Sequence, residues 1–174
     1  MNRLVLIDGN AILHRAYHAL PPLTAPDGSI VNAVYGFTSI LIKIFNDLKP
    51  THMAVAFDRP EPTFRKKMYA DYQAKRPVME DALVSQIEKV HDVVTSFGIP
   101  IYEVDGFEAD DVIGTITKQV KSQKFLRKDS GQSKVKSQNT EEIIIVTGDR
   151  DLLQLVDDAS GIKVFLPMKG LVEG

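Results

Sequence analysis

Glu108, Asp110 and Asp111 place three carboxylates within four residues, in the stretch GFEADDVIGTI, just ahead of an apolar run. Two like charges about 4 Å apart repel by roughly 1 kcal/mol in water and by about 4 kcal/mol at an effective dielectric near 20. A cluster of this kind at an inward turn calls for a counter-charge. Further acids stand at comparable places: Asp8 ends the run LVLID, Asp58 ends MAVAFD, and Asp149 and Asp151 follow EIIIVT. Singly, each has a bland reading. An Asp after a strand often caps the next helix, and acids in a first turn favour the helix dipole. Together, seven carboxylates from four segments form a repulsive pocket that hard divalent cations would neutralise. The chain has no cysteine, and His14, His18, His52 and His91 are dispersed without metal-pair spacing. Oxygen donors alone select Mg2+, with Mn2+ able to substitute, over zinc. Seven acids leave room for two ions, and a pair about 4 Å apart activates water and stabilises both oxygens of a phosphodiester displacement.

These acids meet only if the elements before them lie side by side. Leu4–Asp8, Met53–Asp58, IPIYEV, EIIIVT and KVFL read as strands, short apolar runs bounded by turn residues. Between them, helices are predicted over Ala11–Leu20, over Ile30–Leu48, from Leu83 to Phe97, over EADDVIGTITKQV, and as a short turn over DRDLLQLV. Strands alternating with helices, and strands without polar alternation, predict an α/β fold with a mainly parallel central sheet covered by helices on both faces. Ligands of such sheets bind outside the carboxyl ends of the strands, and each acid falls at such an end.

Composition sets the remaining bounds. The 174 residues are 44% hydrophobic, enough for one domain with a buried core. Net charge is −2, from 21 basic and 23 acidic residues, so a nucleic-acid partner would have to be recognised by a local patch. Lack of cysteine rules out disulfides, zinc ribbons and thiol nucleophiles. No apolar window is long enough to span a membrane or serve as a signal peptide, which favours a soluble, intracellular protein. No Walker loop, dinucleotide fingerprint or Gly-x-Ser-x-Gly is present.

One local basic patch follows the second strand. Arg59, Arg65, Lys66, Lys67, Lys75 and Arg76 are interleaved with Phe64, Tyr69 and Tyr72, within residues 59–79, which are expected to be irregular. Cations contact phosphates and rings stack on unpaired bases, so a single strand suits this segment beside Asp58. A second cationic stretch, with a polar insertion at about 122–140, reads first as a solvated loop.

The motifs LVLIDGNAILHRAYHAL, VAFDRPEPTFRKKMYADYQAKR, GFEADDVIGTI and IVTGDRDLLQLV occur in the order found in the 5′-nuclease domain of bacterial DNA polymerase I, which the chain resembles from residue 4 to 156. That domain belongs to the flap-endonuclease, PIN-like superfamily. The resemblance implies a single PIN-like catalytic core over 1–174. It implies a Mg2+-dependent, structure-specific 5′-3′ exonuclease and flap endonuclease for DNA with 5′ flaps, nicks, single-stranded 5′ ends or RNA primers, in replication and repair. A monomer in the bacterial cytoplasm, associated with the nucleoid, is expected. By motif position, Asp8, Asp58, Glu108 and Asp110 look like the first-metal group, and Asp111, Asp149 and Asp151 like acids serving the second ion. Asp8, Asp58, Glu108, Asp110, Asp111 and Arg76 are the implied catalytic set. Arg15, Arg65, Lys66, Lys75 and Arg76 are the implied DNA contacts. Residues 65–79 look like the base of a helical arch, and the helix around Gly36-Phe37 is similar to a duplex-facing wedge.

The chain departs from the family pattern in three ways. Gln73 stands where the arch lysine is usual, with Lys75 two residues away. The insertion at 122–140 is longer than usual. The sequence stops before the helix–three-turn–helix module, which supplies two more aspartates in the family. Two other readings stay open: a PIN-type ribonuclease using the same acids, and a DNA-binding module with weak or no turnover. A haloacid-dehalogenase-like phosphatase is disfavoured, because Asp8-Gly9-Asn10 lacks an Asp-x-Asp pair.

Overall fold

The computed structural model describes residues 2–69, 71–72, 79–129 and 142–167, and only the backbone of 123–129. Five strands, β1 (Arg3–Asp8), β2 (His52–Ala56), β3 (Ile101–Tyr102), β4 (Glu142–Val146) and β5 (Ile162–Phe165), form one sheet in the order β3-β2-β1-β4-β5. Every pairing is parallel. The helices are α1 (Gly9–Ala19), α2 (Asn32–Leu48), α3 (Phe64–Met68), α4 (Asp81–Ser96) and α5 (Ala109–Asp129), with a 3-10 turn at Asp151–Leu155.

The strands are apolar throughout because both faces are covered. Side chains alternate across a strand with a period of two. Val5 and Ile7 of β1, with Ile144 and Val146 of β4, pack with α1, α2 and α4. Leu6, Ile143 and Ile145 face the other way, against Ala109, Val112 and Ile113 of α5 and Leu152. Full burial of each such side chain contributes about 1.5–3 kcal/mol, so a one-residue slip would be heavily disfavoured and the register is fixed. In that register Ile7 pairs with Val146, and Asp8 and Thr147 therefore emerge side by side.

The connections run from β1 to β2 and β3 on one side and return across the sheet to β4 and β5 on the other. The order reverses beside β1, leaving a crevice at the carboxyl ends of β1 and β4, the usual ligand position in such sheets.

Several sequence expectations are corrected. Residues 59–79 are not wholly irregular: Thr63 accepts a hydrogen bond from the Lys66 amide (3.4 Å) and starts the short helix α3. Helix α5 continues to Asp129, into the stretch expected to be an insertion. The third strand is only two residues long. Gly36 and Phe37 themselves face inward, Phe37 buried and a Cβ on Gly36 2.9 Å from that of Ala16, while Tyr35, Ile42 and Phe45 of the same helix are exposed. No helix among the described residues is long and apolar enough to cross a membrane.

One buried polar group fixes α2, the helix that packs on α1. Gln86 is fully buried on α4. Its Oε1 accepts from the amides of Ala33 (2.8 Å) and Val34 (3.3 Å), and its Nε2 donates to Asn32 Oδ1 and the Ala82 carbonyl. It thus satisfies amides that a helix start leaves unpaired, where Val31 has no side chain to do so. Gln86→Leu strands these partners, and a loss of about 2–3 kcal/mol is expected. Urea unfolding should show a lower midpoint with an unchanged slope.

Candidate active site

Asp8 is buried at the end of β1, 4% exposed, and its two oxygens have separate duties. Oδ1 accepts the Ala11 amide at 3.0 Å, capping α1, and Oδ2 accepts the Thr147 hydroxyl at 2.7 Å. Burial pushes its carboxyl above the ordinary value; the two hydrogen bonds oppose this, and Asp58 and Asp149 add to it. The capping role and membership of an acid cluster are therefore both true of this residue.

Asp58 lies two residues beyond the end of β2. Its Oδ1 accepts the Ala109 amide at 2.7 Å, at the start of α5, and its Oδ2 accepts the Asn10 side-chain amide at 3.2 Å. Asn10 Oδ1 accepts the Asp58 amide in return, at 3.1 Å. Asn10 thus holds Asp58 beside Asp8 by two bonds, with the α5 start closing the other side. Neither Asn10 nor Thr147 stood out as a site residue in the sequence. The available signal was position: each directly follows or adjoins an acid-tipped strand end and carries a short polar side chain.

Asp110 projects from the first turn of α5. Its carboxyl is pushed up to about 7, first by burial and then by the charges of Asp8, Asp149, Asp58 and Glu108. Those four acids come from three other chain segments and the residue before α5, so the field on Asp110 records their convergence. Asp149 follows β4, with its amide donating to Thr147 Oγ1 at 2.9 Å and its Oδ1 accepting the Asp151 amide at 2.9 Å. Glu108 accepts from Arg65 at 3.3 Å and from the Tyr72 hydroxyl at 3.1 Å.

Six of the seven acids, all but Asp111, line one open cleft of about 2330 Å³, together with Asn10, Arg15, Lys66 and Tyr72. Small-molecule pockets run to about 300–1,000 Å³, so this cleft suits a polymer better. Asp111 is elsewhere. Both of its oxygens accept from Arg65 at 2.6 Å, and Oδ2 also accepts the Glu108 amide at 3.1 Å. That fork holds the Asp111 carboxyl below its ordinary range and occupies Arg65. Lys75, Arg76 and Gln73 lie outside the described residues.

No group of three or more acidic or histidine side chains among the described residues is already drawn into a shape that would hold an ion. The charges of Asp8, Asp149, Asp58 and Glu108 nevertheless all bear on Asp110. An all-carboxylate donor set with one carboxyl displaced this far fits a hard divalent cation. Asp8, Asp58, Glu108, Asp110 and Asp149 are the residues that would hold it.

Comparison with known proteins places the fold in a family. Residues 3–172 match the family described as 5′-3′ exonuclease, N-terminal resolvase-like domain. DNA polymerase I of Caldicellulosiruptor bescii is 41% identical over 162 residues, covering 93% of this chain and 17% of that protein. DNA polymerase I of Mycobacterium tuberculosis is 38% identical over 172 residues, again 17% of the relative. The chain therefore spans about a sixth of the length of these curated relatives. Among solved structures, a bacteriophage T5 flap endonuclease in a pseudo-enzyme–product complex with DNA and metal ions aligns with a TM-score of 0.62 at 16% identity, over 95% of this chain and 55% of that one. A T5 5′-exonuclease with bound zinc ions aligns at 0.61 and 18% identity, over 95% of this chain and 55% of that one. At those identities the structures speak for the shared fold. The sequence match runs through every element that carries an acid to the crevice, and on it this chain belongs to the family of 5′-3′ exonuclease N-terminal, resolvase-like domains.

Proposed function

We propose that the chain is the catalytic core of a Mg2+-dependent 5′ nuclease that cleaves DNA phosphodiesters at 5′ flaps, nicks and single-stranded 5′ ends, including RNA primers. The observation that carries this reading is the convergence of Asp8, Asp58, Glu108, Asp110, Asp149 and Asp151, from four chain segments, on one polymer-sized cleft. The DNA polymerase I relatives and the DNA named in the T5 complex support DNA as substrate, and with it a place in replication and repair. A monomer in the bacterial cytoplasm, working at the nucleoid, is the setting this implies.

The chain's own residues prepare the site. Thr147 and the Ala11 amide fix Asp8, while Asn10 and the Ala109 amide fix Asp58, so two carboxylates are preorganised on the crevice floor. Glu108, Asp110 and Asp149 complete the donor set, and Asp151 borders it. Two Mg2+ ions, or Mn2+ in their place, would supply a lowered pKa for water and stabilisation of charge on the phosphate oxygens. Arg15 and Lys66 on the cleft wall neutralise phosphates along the strand, and Lys75 and Arg76, outside the described residues, are proposed as DNA contacts from their sequence positions.

The test is cleavage of a 5′-flap DNA by the 174-residue chain with Mg2+ and then Mn2+, beside a matched single-stranded RNA. Flap cleavage that needs the ion and exceeds RNA cleavage supports the reading. Preference for RNA would make the chain a ribonuclease, and tight flap binding without turnover at saturating ion would make it a binding module.

A further inference from the structure

We infer that the forked ion pair between Arg65 and Asp111 is a clamp that docks helix α3 beside the acid cluster, which makes both of them positioning residues rather than a phosphate contact and a metal ligand. The fork is complete on the carboxylate side. Oδ1 of Asp111 accepts from Arg65 Nη2 at 2.6 Å, and Oδ2 accepts from Nη1 at 2.6 Å and from the Glu108 amide at 3.1 Å. The last of these is a capping-box contact, made by the third residue of α5 to the residue before the helix. Asp111 does not line the cleft that the other six acids share.

Helix α3 needs such a clamp. It has five residues and none is buried, far too short to be stable by itself. Its other ties lead to the same place: the Phe64 amide donates to the Gly106 carbonyl at 2.8 Å, and the Phe64 and Phe107 rings meet at 5.5 Å. A guanidinium fork matches a carboxylate in one plane and sets orientation as well as distance. With α3 docked, Lys66 reaches the cleft wall, and Arg65 and the Tyr72 hydroxyl both donate to Glu108 Oε2. The clamp therefore sets where a cation of the cleft wall sits and how one acid of the cluster is aimed.

What the clamp positions rests on the nuclease reading; that it is a clamp does not, so the experiment has metal, proteolytic and kinetic arms. Calorimetric titration with Mn2+ alone should show Asp111→Asn within about tenfold of the parent affinity, whereas Asp110→Asn loses at least about a hundredfold. Trypsin cleavage after Lys66 and Lys67, mapped by mass spectrometry, should quicken about tenfold in Asp111→Asn and Arg65→Gln, in line with lost hydrogen bonds to a charged group. The double variant should be no worse than either single, because the two residues act as one unit, and Arg65→Lys should restore only part of the protection. On 5′-flap DNA the same variants should raise KM more than they lower kcat. Loss of Mn2+ affinity in Asp111→Asn equal to that in Asp110→Asn would overturn the clamp, as would additive losses in the double variant. Absence of flap cleavage in the parent would count against the nuclease reading alone, since the Mn2+ and trypsin arms still decide the clamp.

Discussion

Asp110→Asn is expected to lower Mg2+-dependent cleavage of a 5′-flap DNA by about a hundred- to thousandfold, the usual scale for removing one preorganised electrostatic group. In the metal-free chain the same substitution should raise the melting temperature at pH 8. The Asp110 carboxyl is raised from the ordinary 3.8 to about 7 by burial and by four neighbouring acids. Between those two values the folded chain binds the proton more than the unfolded chain does, so stability falls as pH rises through that window. Above about pH 7 the cost of the buried charge is fully present, and below the ordinary value of 3.8 it is gone. Asparagine removes the charge and so removes the cost, with a gain that shrinks as the pH falls. Losing a first-turn acid opposes this by about 0.3–1 kcal/mol, the smaller effect for a carboxyl displaced this far. Mn2+ should reverse the order, because only the parent gains the full stabilisation of a bound ion. Thermal melts at pH 4, 6 and 8, with and without Mn2+, check the stability arm. A metal-free Asp110→Asn chain that melts below the parent at pH 8 would show that the acids do not bear on one another as described.

The crevice was legible in the sequence because strand ends are local features. LVLID and EIIIVT are short apolar runs, and an acid at or just past the end of a parallel strand must lie at the carboxyl edge whatever the strand order. The strand order itself was not legible, since it depends on which way each connection crosses the sheet. The supports were hidden for the same reason. Thr147 meets Asp8 across 139 residues and Asn10 meets Asp58 across 48, and nothing in either local sequence records the meeting.

Asp111 shows a different limit. Adjacent helix residues diverge by about 100°, and here Asp110 lines the crevice while Asp111 turns to Arg65, a divergence that the run of acids in the sequence does not record. Helix α3 was invisible because five residues carry no usable apolar period, and its conformation is set by what it docks against. The polar continuation of α5 was read as a loop on composition, although lysine, glutamine and arginine are good helix formers.

Gly9→Ala is expected to cost about 1–3 kcal/mol of stability and to slow flap cleavage by about a hundredfold, the usual penalty for a small misplacement of catalytic groups. Helix propensity alone argues the other way, since alanine is favoured over glycine by up to about 1 kcal/mol inside a helix. Backbone strain is not the reason either, because Gly9 is not among the residues with positive φ. The effect is steric. A Cβ at this position would lie 2.4 Å from Cε1 of Phe57, 2.5 Å from Cδ1 and 2.6 Å from Cζ. The ring has little room to withdraw: Phe57 is 2% exposed, stacked on Phe37 at 6.3 Å and packed on His91 at 4.3 Å. Gly9 directly follows Asp8, and Phe57 directly precedes Asp58. The clash therefore forces apart the two chain segments whose carboxylates the site must hold together, and it strains both Asn10 bonds to Asp58. Urea unfolding and flap-cleavage kcat should both register the change. Adding Phe57→Leu to Gly9→Ala opens space at the point of contact and should recover activity relative to Gly9→Ala alone, even though Phe57→Leu by itself removes core packing. A Gly9→Ala chain with parental stability and kcat would mean that the Asp8–Asp58 spacing is not set by this contact.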